Sequence, residues 1–122
     1  MNRTEEIELL EQLEQWNSKD EYSQCIQAIE AIPEQERGYL LTVKLSRAYS
    51  NLAVLGDHGV HGTDGEVDGD LIRHAIDLLE SVRTQGENDP YWNSRMGYSC
   101  LMAYRSAATA YEYAKCWLAL AP

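Results

Sequence analysis

Apolar residues recur at helical spacing along almost the whole chain, and no segment shows sustained apolar alternation. Residues repeated every three or four positions form one apolar stripe on a helix, whereas alternation is typical of a half-buried strand. The spacing therefore predicts six helices and no sheet, which is an all-α fold. The predicted helices cover residues 4–17, 22–32, 38–55, 70–84, 91–103 and 106–120.

Local signals set the ends of several of these helices. Thr4 supplies a capping hydroxyl ahead of two glutamates, which favours a helix N-terminus. Pro33 ends the second helix, because its ring excludes the helical conformation from the residue before it. Asp89 and Pro90 open the fifth helix with proline in the first turn. Consecutive helices are therefore predicted to form antiparallel pairs at about 4–33, 38–84 and 90–121.

Length and charge exclude several classes of function. The 122 residues fit one domain, covering 1–122. A formal charge of −10 opposes binding to nucleic-acid phosphates and anionic lipids. The longest apolar stretches are also well short of the roughly 20 residues that cross a bilayer. We therefore expect no nucleic-acid partner and no membrane partner.

The chain contains none of the common catalytic motifs. It has no Gly-x-Ser-x-Gly, no phosphate loop ending in Lys-Ser/Thr and no HExxH. We expect no enzymatic activity, no catalytic residue and no cofactor. Cys25, Cys100 and Cys116 are an odd set without CxxC spacing, and no secretory segment opens the chain. This usage predicts reduced thiols and a cytoplasmic protein.

Small and aromatic residues repeat within the three predicted pairs. The third pair carries Trp92, Met96, Gly97, Ala110, Tyr113, Leu118 and Pro122, with Cys100 where an aromatic is usual. The first pair carries Trp16, Tyr22, Cys25 and Ile29, and the middle pair Leu45, Ala48, Tyr49, Ala75 and Leu79. This spacing resembles degenerate repeats of the tetratricopeptide family. Small residues, Gly97 among them, are expected where helices cross closely.

The tetratricopeptide resemblance implies a right-handed superhelix of stacked pairs, an α-α solenoid. The first helix of each pair would line a concave face that binds a protein or peptide. The residues that would point into this groove are Leu40, Val43, Lys44, Arg47, Asn51, Tyr91, Ser94, Arg95, Tyr98 and Met102. The implied function is a protein-binding or peptide-binding scaffold.

Charge is distributed unevenly between the predicted helices. Residues 1–38 contain ten acids and three bases, and 56–70 contain five acids and no base. Residues 39–55 and 91–109 contain two bases each and no acid. The predicted peptide-binding residues Lys44, Arg47, Asn51, Tyr91, Arg95 and Tyr98 thus form a cationic, tyrosine-rich groove. Such a groove favours an acidic peptide, because Arg pairs bidentately with carboxylates.

A structural interpretation of the same cations stays open. Lys44 and Arg47 could neutralise acids of the first pair, and Arg95 could pair with Glu80 or Asp77. The chain would then be a structural or regulatory segment of a longer repeat protein without a ligand groove. The glutamates of the first helix, Glu5, Glu6, Glu8, Glu11 and Glu14, are predicted to form a solvated face.

Two further segments carry their own predictions. Residues 56–69 contain His58, His61 and four acids among five glycines, and we interpret them as a mobile acidic loop, with a metal site as the weaker alternative. The predicted last helix is apolar on all sides, and a helix of that kind needs cover on all sides. Tyr111, Trp117 and Leu118 are therefore predicted to pack against a second copy, as a homodimer.

Overall fold

A computed structural model describes residues 1–59 and 67–105, and across these residues the chain forms helices and turns without a strand. The all-α prediction is therefore confirmed. The helices are α1 (Arg3–Ser18), α2 (Tyr22–Glu30), α3 (Gly38–Leu55), α4 (Gly69–Ser81), α5 (Arg83–Gly86) and α6 (Pro90–Arg105), with short 3₁₀ turns at Glu34–Glu36 and Asp57–Gly59. The predicted sixth helix, 106–120, lies outside the described residues.

The helix ends follow the sequence signals with two corrections. Helix α6 begins at Pro90 as predicted, and Asp89 Oδ1 accepts a hydrogen bond from Tyr91 N at 3.0 Å. The cap of α1 is Asn2, whose Oδ1 accepts from Glu5 N at 2.8 Å, so the prediction of Thr4 as the cap is wrong by two residues. The predicted fourth helix is interrupted after Ser81, and a separate turn, α5, follows.

The interruption after α4 has a local cause in the buried Trp92. The indole Nε1 of Trp92 donates to Leu79 O at 2.9 Å, and Val82 N donates to the same carbonyl at 3.1 Å. In an uninterrupted helix this carbonyl would accept from the amide of residue 83. The tryptophan takes that position, and the chain turns before continuing as α5.

Helix α3 lies at the centre of the described helices. It packs against α2 on one side and α4 on the other, and it also contacts α6, while α1 packs on α2 and α4 packs on α6. Glu14 and Asn17 of α1 meet Arg47 and Asn51 of α3 in the same order along the chain, so the two helices are parallel. The contacts of α6 with α3 are ordered in the same way. Helices α1, α3 and α6 are therefore parallel to one another, and α2 and α4 pack against them.

Two apolar clusters fill the spaces between these helices. The first contains Leu13, Cys25, Ile26, Ile29, Leu41, Leu45 and Ala48. The second contains Val43, Ala53, Ile72, Ile76, Leu79, Trp92, Met96, Cys100, Met102 and Ala103. Helix α3 supplies residues to both clusters, so its burial joins the first pair of helices to the rest of the structure.

Small residues mark the close helix contacts, as predicted for Cys25 and Ala75. Cys25 Sγ donates to Leu13 O at 3.6 Å, and Ser46 Oγ donates to Ala75 O at 2.7 Å. The expectation for Gly97 finds no support here, since a Cβ built on it meets no described atom within 4 Å. The close glycine contact is instead at Gly86, where a Cβ would lie 2.2 Å from Trp92 Cδ1. Ala110 lies outside the described residues.

Both ends of the predicted loop 56–69 are held by hydrogen bonds. Asp57 Oδ1 accepts from Ser23 N at 3.0 Å, and His58 N donates to Asp20 O at 2.7 Å. At the other end Asp68 Oδ1 caps α4 by accepting from the amides of residues 70 and 71 at 3.1 Å. The mobility of the loop stays a prediction, and residues 60–66 lie outside the described part.

Replacing Gly86 by alanine will destabilise the fold by about 1–3 kcal/mol, since the new methyl group cannot fit against the Trp92 ring without shifting it. Urea unfolding monitored by tryptophan fluorescence measures the change. The matched control is Thr84→Ala, an exposed position in the same turn, which is expected to stay within about 0.5 kcal/mol of wild type. Equal stabilities of the two variants would contradict the packing described here.

The carboxylate of Asp57 caps α2 from outside that helix, and the Asp57→Ala variant will lose about 1 kcal/mol. Partial burial raises the pKa of Asp57, but hydrogen bonds from Ser23 and the amide of Tyr22 outweigh it and lower the pKa overall. A lowered folded pKa stabilises above the unfolded pKa, and the stabilisation is lost as the pH falls through the folded value.

The difference in unfolding free energy between wild type and Asp57→Ala is therefore expected to be constant near neutral pH. It will shrink below about pH 4, where the unfolded carboxylate begins to take up a proton. Asp77→Ala, an exposed change of the same charge on α4, serves as the control. A difference that grows on acidification would show that Asp57 does not act as a charged cap.

Candidate functional site

The six residues predicted to bind a peptide lie on two parallel helices that face each other. Lys44, Arg47 and Asn51 are on α3, and Tyr91, Arg95 and Tyr98 are on α6. The structure brings all six into one continuous set of contacts with two residues of α1. We call this region the α1–α3–α6 face; its members are Glu14, Asn17, Lys44, Arg47, Ser50, Asn51, Tyr91, Arg95 and Tyr98.

Arg95 joins α6 to α3 through neutral partners. Its Nη2 donates to Ser50 Oγ at 2.5 Å and to Asn51 Oδ1 at 3.2 Å, and its guanidinium lies 4.7 Å from the centre of the Tyr98 ring. Burial lowers the pKa of Arg95, although a guanidinium keeps its proton at any physiological pH. No carboxylate of the described residues is within ion-pair distance of Arg95.

The predicted ion pair between Arg95 and Glu80 or Asp77 is wrong for a geometric reason. Glu80 lies one turn from Arg83 at the end of α4, and the two side chains form an ion pair. Asp77 is exposed on α4, which does not contribute to the α1–α3–α6 face. Arg95 points instead toward α3, where Ser50 and Asn51 offer oxygen acceptors without charge.

Lys44 and Arg47 share a single carboxylate. Glu14 Oε1 is 3.0 Å from Lys44 Nζ and 2.9 Å from Arg47 Nη1. Partial burial raises the pKa of Glu14, but the hydrogen bonds and charges of the two cations outweigh it and lower the pKa overall. The sequence interpretation in which these cations neutralise an acid of the first pair therefore describes a real contact. Glu14 is 54% exposed, in agreement with its predicted place on a solvated face, and it also reaches the two cations of α3.

Aromatic and amide groups complete the face. Lys44 Nζ lies 4.8 Å from the centre of the Tyr91 ring, which is a cation–π arrangement. Asn51 Nδ2 donates to Asn17 Oδ1 at 3.1 Å while its own oxygen accepts from Arg95. Hydrogen bonds and cation–π contacts thus connect these side chains from α1 to α6 and hold the cations in position.

Several buried polar atoms of this face make no hydrogen bond with a described residue. They are Arg47 Nε, Arg95 Nε and Tyr91 Oη. Buried polar groups are normally paired, so the described residues leave the hydrogen bonding of these three atoms incomplete.

The sequence interpretation was wrong for some groove residues and missed another. Val43 and Met102 are buried in the second apolar cluster and do not belong to the face. Ser50, which accepts from Arg95, was not predicted. A serine in a helix carries no sequence signal of its own, and only its position one residue before Asn51 links it to the groove.

A cleft between other elements lies away from this face. An open cleft of about 510 Å³ lies between the turn Glu34–Glu36, the start of α3 and the end of α4. Its lining residues are Glu34, Gln35, Gly38, Tyr39, Thr42, Ser81, Val82 and Gln85. Neutral polar groups and one carboxylate line it, and no set of ligand-binding groups converges there. Charged and polar groups that could bind a ligand converge instead on the α1–α3–α6 face.

The other candidate residues form no metal site within the described residues. Within 1–59 and 67–105 no three His, Cys, Asp or Glu side chains form a group able to hold a metal ion, while His61, Asp64 and Glu66 lie outside those ranges. His74 is exposed and packs edge-on against Tyr49 with ring centres 4.4 Å apart. The predicted self-association residues Tyr111, Trp117 and Leu118 also lie outside the described residues.

The cysteines differ from the prediction of three reduced thiols. Cys25 is a buried free thiol, and burial raises its pKa, which makes it a poor nucleophile. Cys100 takes part in a disulfide, so the prediction is wrong for that residue. The cytoplasmic location inferred from reduced thiols stays a prediction.

The search for membrane-spanning segments gave a negative result. None of the helices in the described ranges combines the length and the apolar character that crossing a bilayer requires.

Comparisons with protein-family models, with curated proteins and with solved structures found no match to this chain. The tetratricopeptide resemblance therefore depends on the repeated residues of the sequence and stays a prediction. The α1–α3–α6 face is the part of the described structure that bears most directly on function.

Proposed function

We propose that this protein is a helical-repeat scaffold that binds an acidic segment of another protein, or an acidic peptide, on its α1–α3–α6 face. The observation that carries the proposal is Arg95, a partly buried cation held by a hydroxyl, an amide and an aromatic ring, with no carboxylate of residues 1–59 or 67–105 beside it. Buried charges in proteins are normally paired with an opposite charge. A carboxylate of the ligand would supply that pair.

The charge balance of the face supports this proposal. Lys44, Arg47 and Arg95 are accompanied by one carboxylate, that of Glu14, in a chain whose formal charge is −10. By contrast, Arg73 and Arg83 each pair with an acid three residues away on the chain. A local excess of positive charge on an acidic molecule directs acidic ligands toward that one face.

Apolar residues adjoin the cations at the N-terminal end of the face. Leu40 is 40% exposed and precedes Lys44 by one helical turn, and Tyr91 lies under Lys44. The seven helical steps from Leu40 to Arg47 span about 10 Å along α3, which an extended peptide covers in about three residues. We therefore propose a ligand in which an acidic residue and a large apolar residue are about three positions apart.

The finer architecture belongs to the same proposal. Three parallel helices in one layer, each followed or preceded by a helix of the second layer, are what a tetratricopeptide-like right-handed superhelix requires. In that arrangement the α1–α3–α6 face is the concave surface. The ligand would then lie across the first helices of the three pairs.

A structural or regulatory segment of a longer protein is the competing candidate. The observation that favours it is the bridge from Glu14 to Lys44 and Arg47, which joins α1 to α3 and satisfies two of the three cations internally. In that case the face holds the helices together and binds nothing. The two candidates differ in whether Arg95 matters for binding or only for stability.

Binding of a fluorescein-labelled peptide with several glutamates and two leucines will test the proposal by fluorescence anisotropy. Arg95→Gln removes the unpaired charge and is expected to weaken binding about tenfold or more, since a hydrogen bond to a charged group contributes roughly 1.5–3 kcal/mol. Arg3→Gln makes the same charge change at an exposed position of α1 and is expected to leave the affinity unchanged.

A uniform loss in both variants would indicate binding driven by net charge, not by this face. Absence of binding to wild type at millimolar peptide would remove the proposal in favour of the structural segment. A melting curve for each variant shows whether the fold is intact before the affinities are compared.

We also propose that the protein forms a homodimer through residues 107–122, whose sequence has only Glu112 and Lys115 as charged residues. An apolar surface of that extent needs cover, and a second copy provides it. Sedimentation velocity at tens of micromolar is expected to show a dimer, and Trp117→Glu is expected to shift it to a monomer. A wild-type monomer at that concentration would contradict the proposal.

A further inference from the structure

Glu14 is placed differently from the two cations that it contacts. Its side chain is 54% exposed, whereas those of Lys44 and Arg47 are 17% and 10% exposed. The cations are therefore held in the protein, and the carboxylate approaches them from the solvent side. A carboxylate of a ligand would approach from the same side.

We propose that Glu14 is an internal competitor, which occupies the carboxylate position on Lys44 and Arg47 and is displaced when an acidic ligand binds. This inference rests on the proposed function of the α1–α3–α6 face. Glu14 Oε1 already lies within 3.0 Å of both cationic groups, which is the geometry that a ligand carboxylate would adopt. Glu14 and the ligand therefore compete for the same donors.

Displacing Glu14 from Lys44 and Arg47 costs the protein little free energy. An ion pair with one half-exposed partner contributes little, because water replaces the cation around the released carboxylate. Glutamate can swing into solvent by rotating its side chain, without any change in α1. Arg47 stays in place, since it is buried on α3 and packed among its neighbours.

The competition has a consequence for specificity. A ligand with one acidic group exchanges one carboxylate for another at Lys44 and Arg47, so it gains little. A ligand with a second acidic group also reaches Arg95, which has no carboxylate partner within the described residues. Glu14 therefore makes the face select ligands that carry two acidic groups.

The test compares Glu14→Gln with Glu11→Gln, the same change one turn earlier at an exposed position of α1 that forms no ion pair with a described residue. Each variant is titrated with two otherwise identical peptides that contain one or two glutamates. Glu14→Gln is expected to bind the one-glutamate peptide roughly three- to tenfold more tightly than wild type. Its preference for the two-glutamate peptide will shrink, whereas Glu11→Gln will behave as wild type.

A purely structural Glu14 gives a different result. Its loss would lower the melting temperature without raising the affinity, and that outcome overturns the inference while an Arg95-dependent affinity keeps the proposed function. No binding of either peptide by wild type and by all variants overturns both. An equal gain in Glu11→Gln would also overturn the inference, since the gain would then come from net charge.

A second measurement on the wild-type protein guards against a variant that fails to fold. With ¹³C-labelled protein and unlabelled two-glutamate peptide, NMR follows the side-chain carboxyl of Glu14 as the pH is changed. Displacement is expected to return its pKa toward the ordinary value of glutamate, since Lys44 and Arg47 then contact the ligand instead. A pKa that stays lowered at saturating peptide would show that Glu14 has not moved.

Discussion

The burial of α3 is the constraint on which the rest of the structure depends. This helix contributes side chains to both apolar clusters and packs against α2, α4 and α6. A helix covered on so many sides leaves its polar residues little access to water, so each of them needs a partner from a neighbouring helix. Ser46 meets α4, Arg47 meets α1, and Ser50 and Asn51 meet α6.

The helical part of the fold could be predicted because it follows from local chemistry. Apolar spacing located the long helices, and Pro90 marked the start of α6, whereas α2 ends at Glu30, three residues before Pro33. The failures are tertiary in origin. The break after Ser81 depends on the indole of Trp92 binding a carbonyl thirteen residues earlier in the chain, and the cap supplied by Asp57 reaches a helix 34 residues away. No local pattern encodes such contacts.

The residues of the candidate site were predicted from the uneven distribution of charge along the sequence. Two helices without acids carry the cations, and parallel packing places those cations side by side. What charge counting could not supply is the direction of each side chain. Val43 was assigned to the groove and is in the core. Glu14 is exposed as predicted, but its contact with Lys44 and Arg47 could not be singled out among the five glutamates of the first helix.

The three cations of the face do not contribute equally to holding the helices together. Lys44 and Arg47 recover part of their desolvation free energy through Glu14, whereas Arg95 has, among the described residues, neutral acceptors and the Tyr98 ring. Replacing a buried charge by a well-packed apolar side chain is often neutral or stabilising. A residue such as leucine at position 95 would therefore be sufficient for packing. The stability of the described helices alone gives no reason for an arginine there, and the proposed ligand carboxylate would give one.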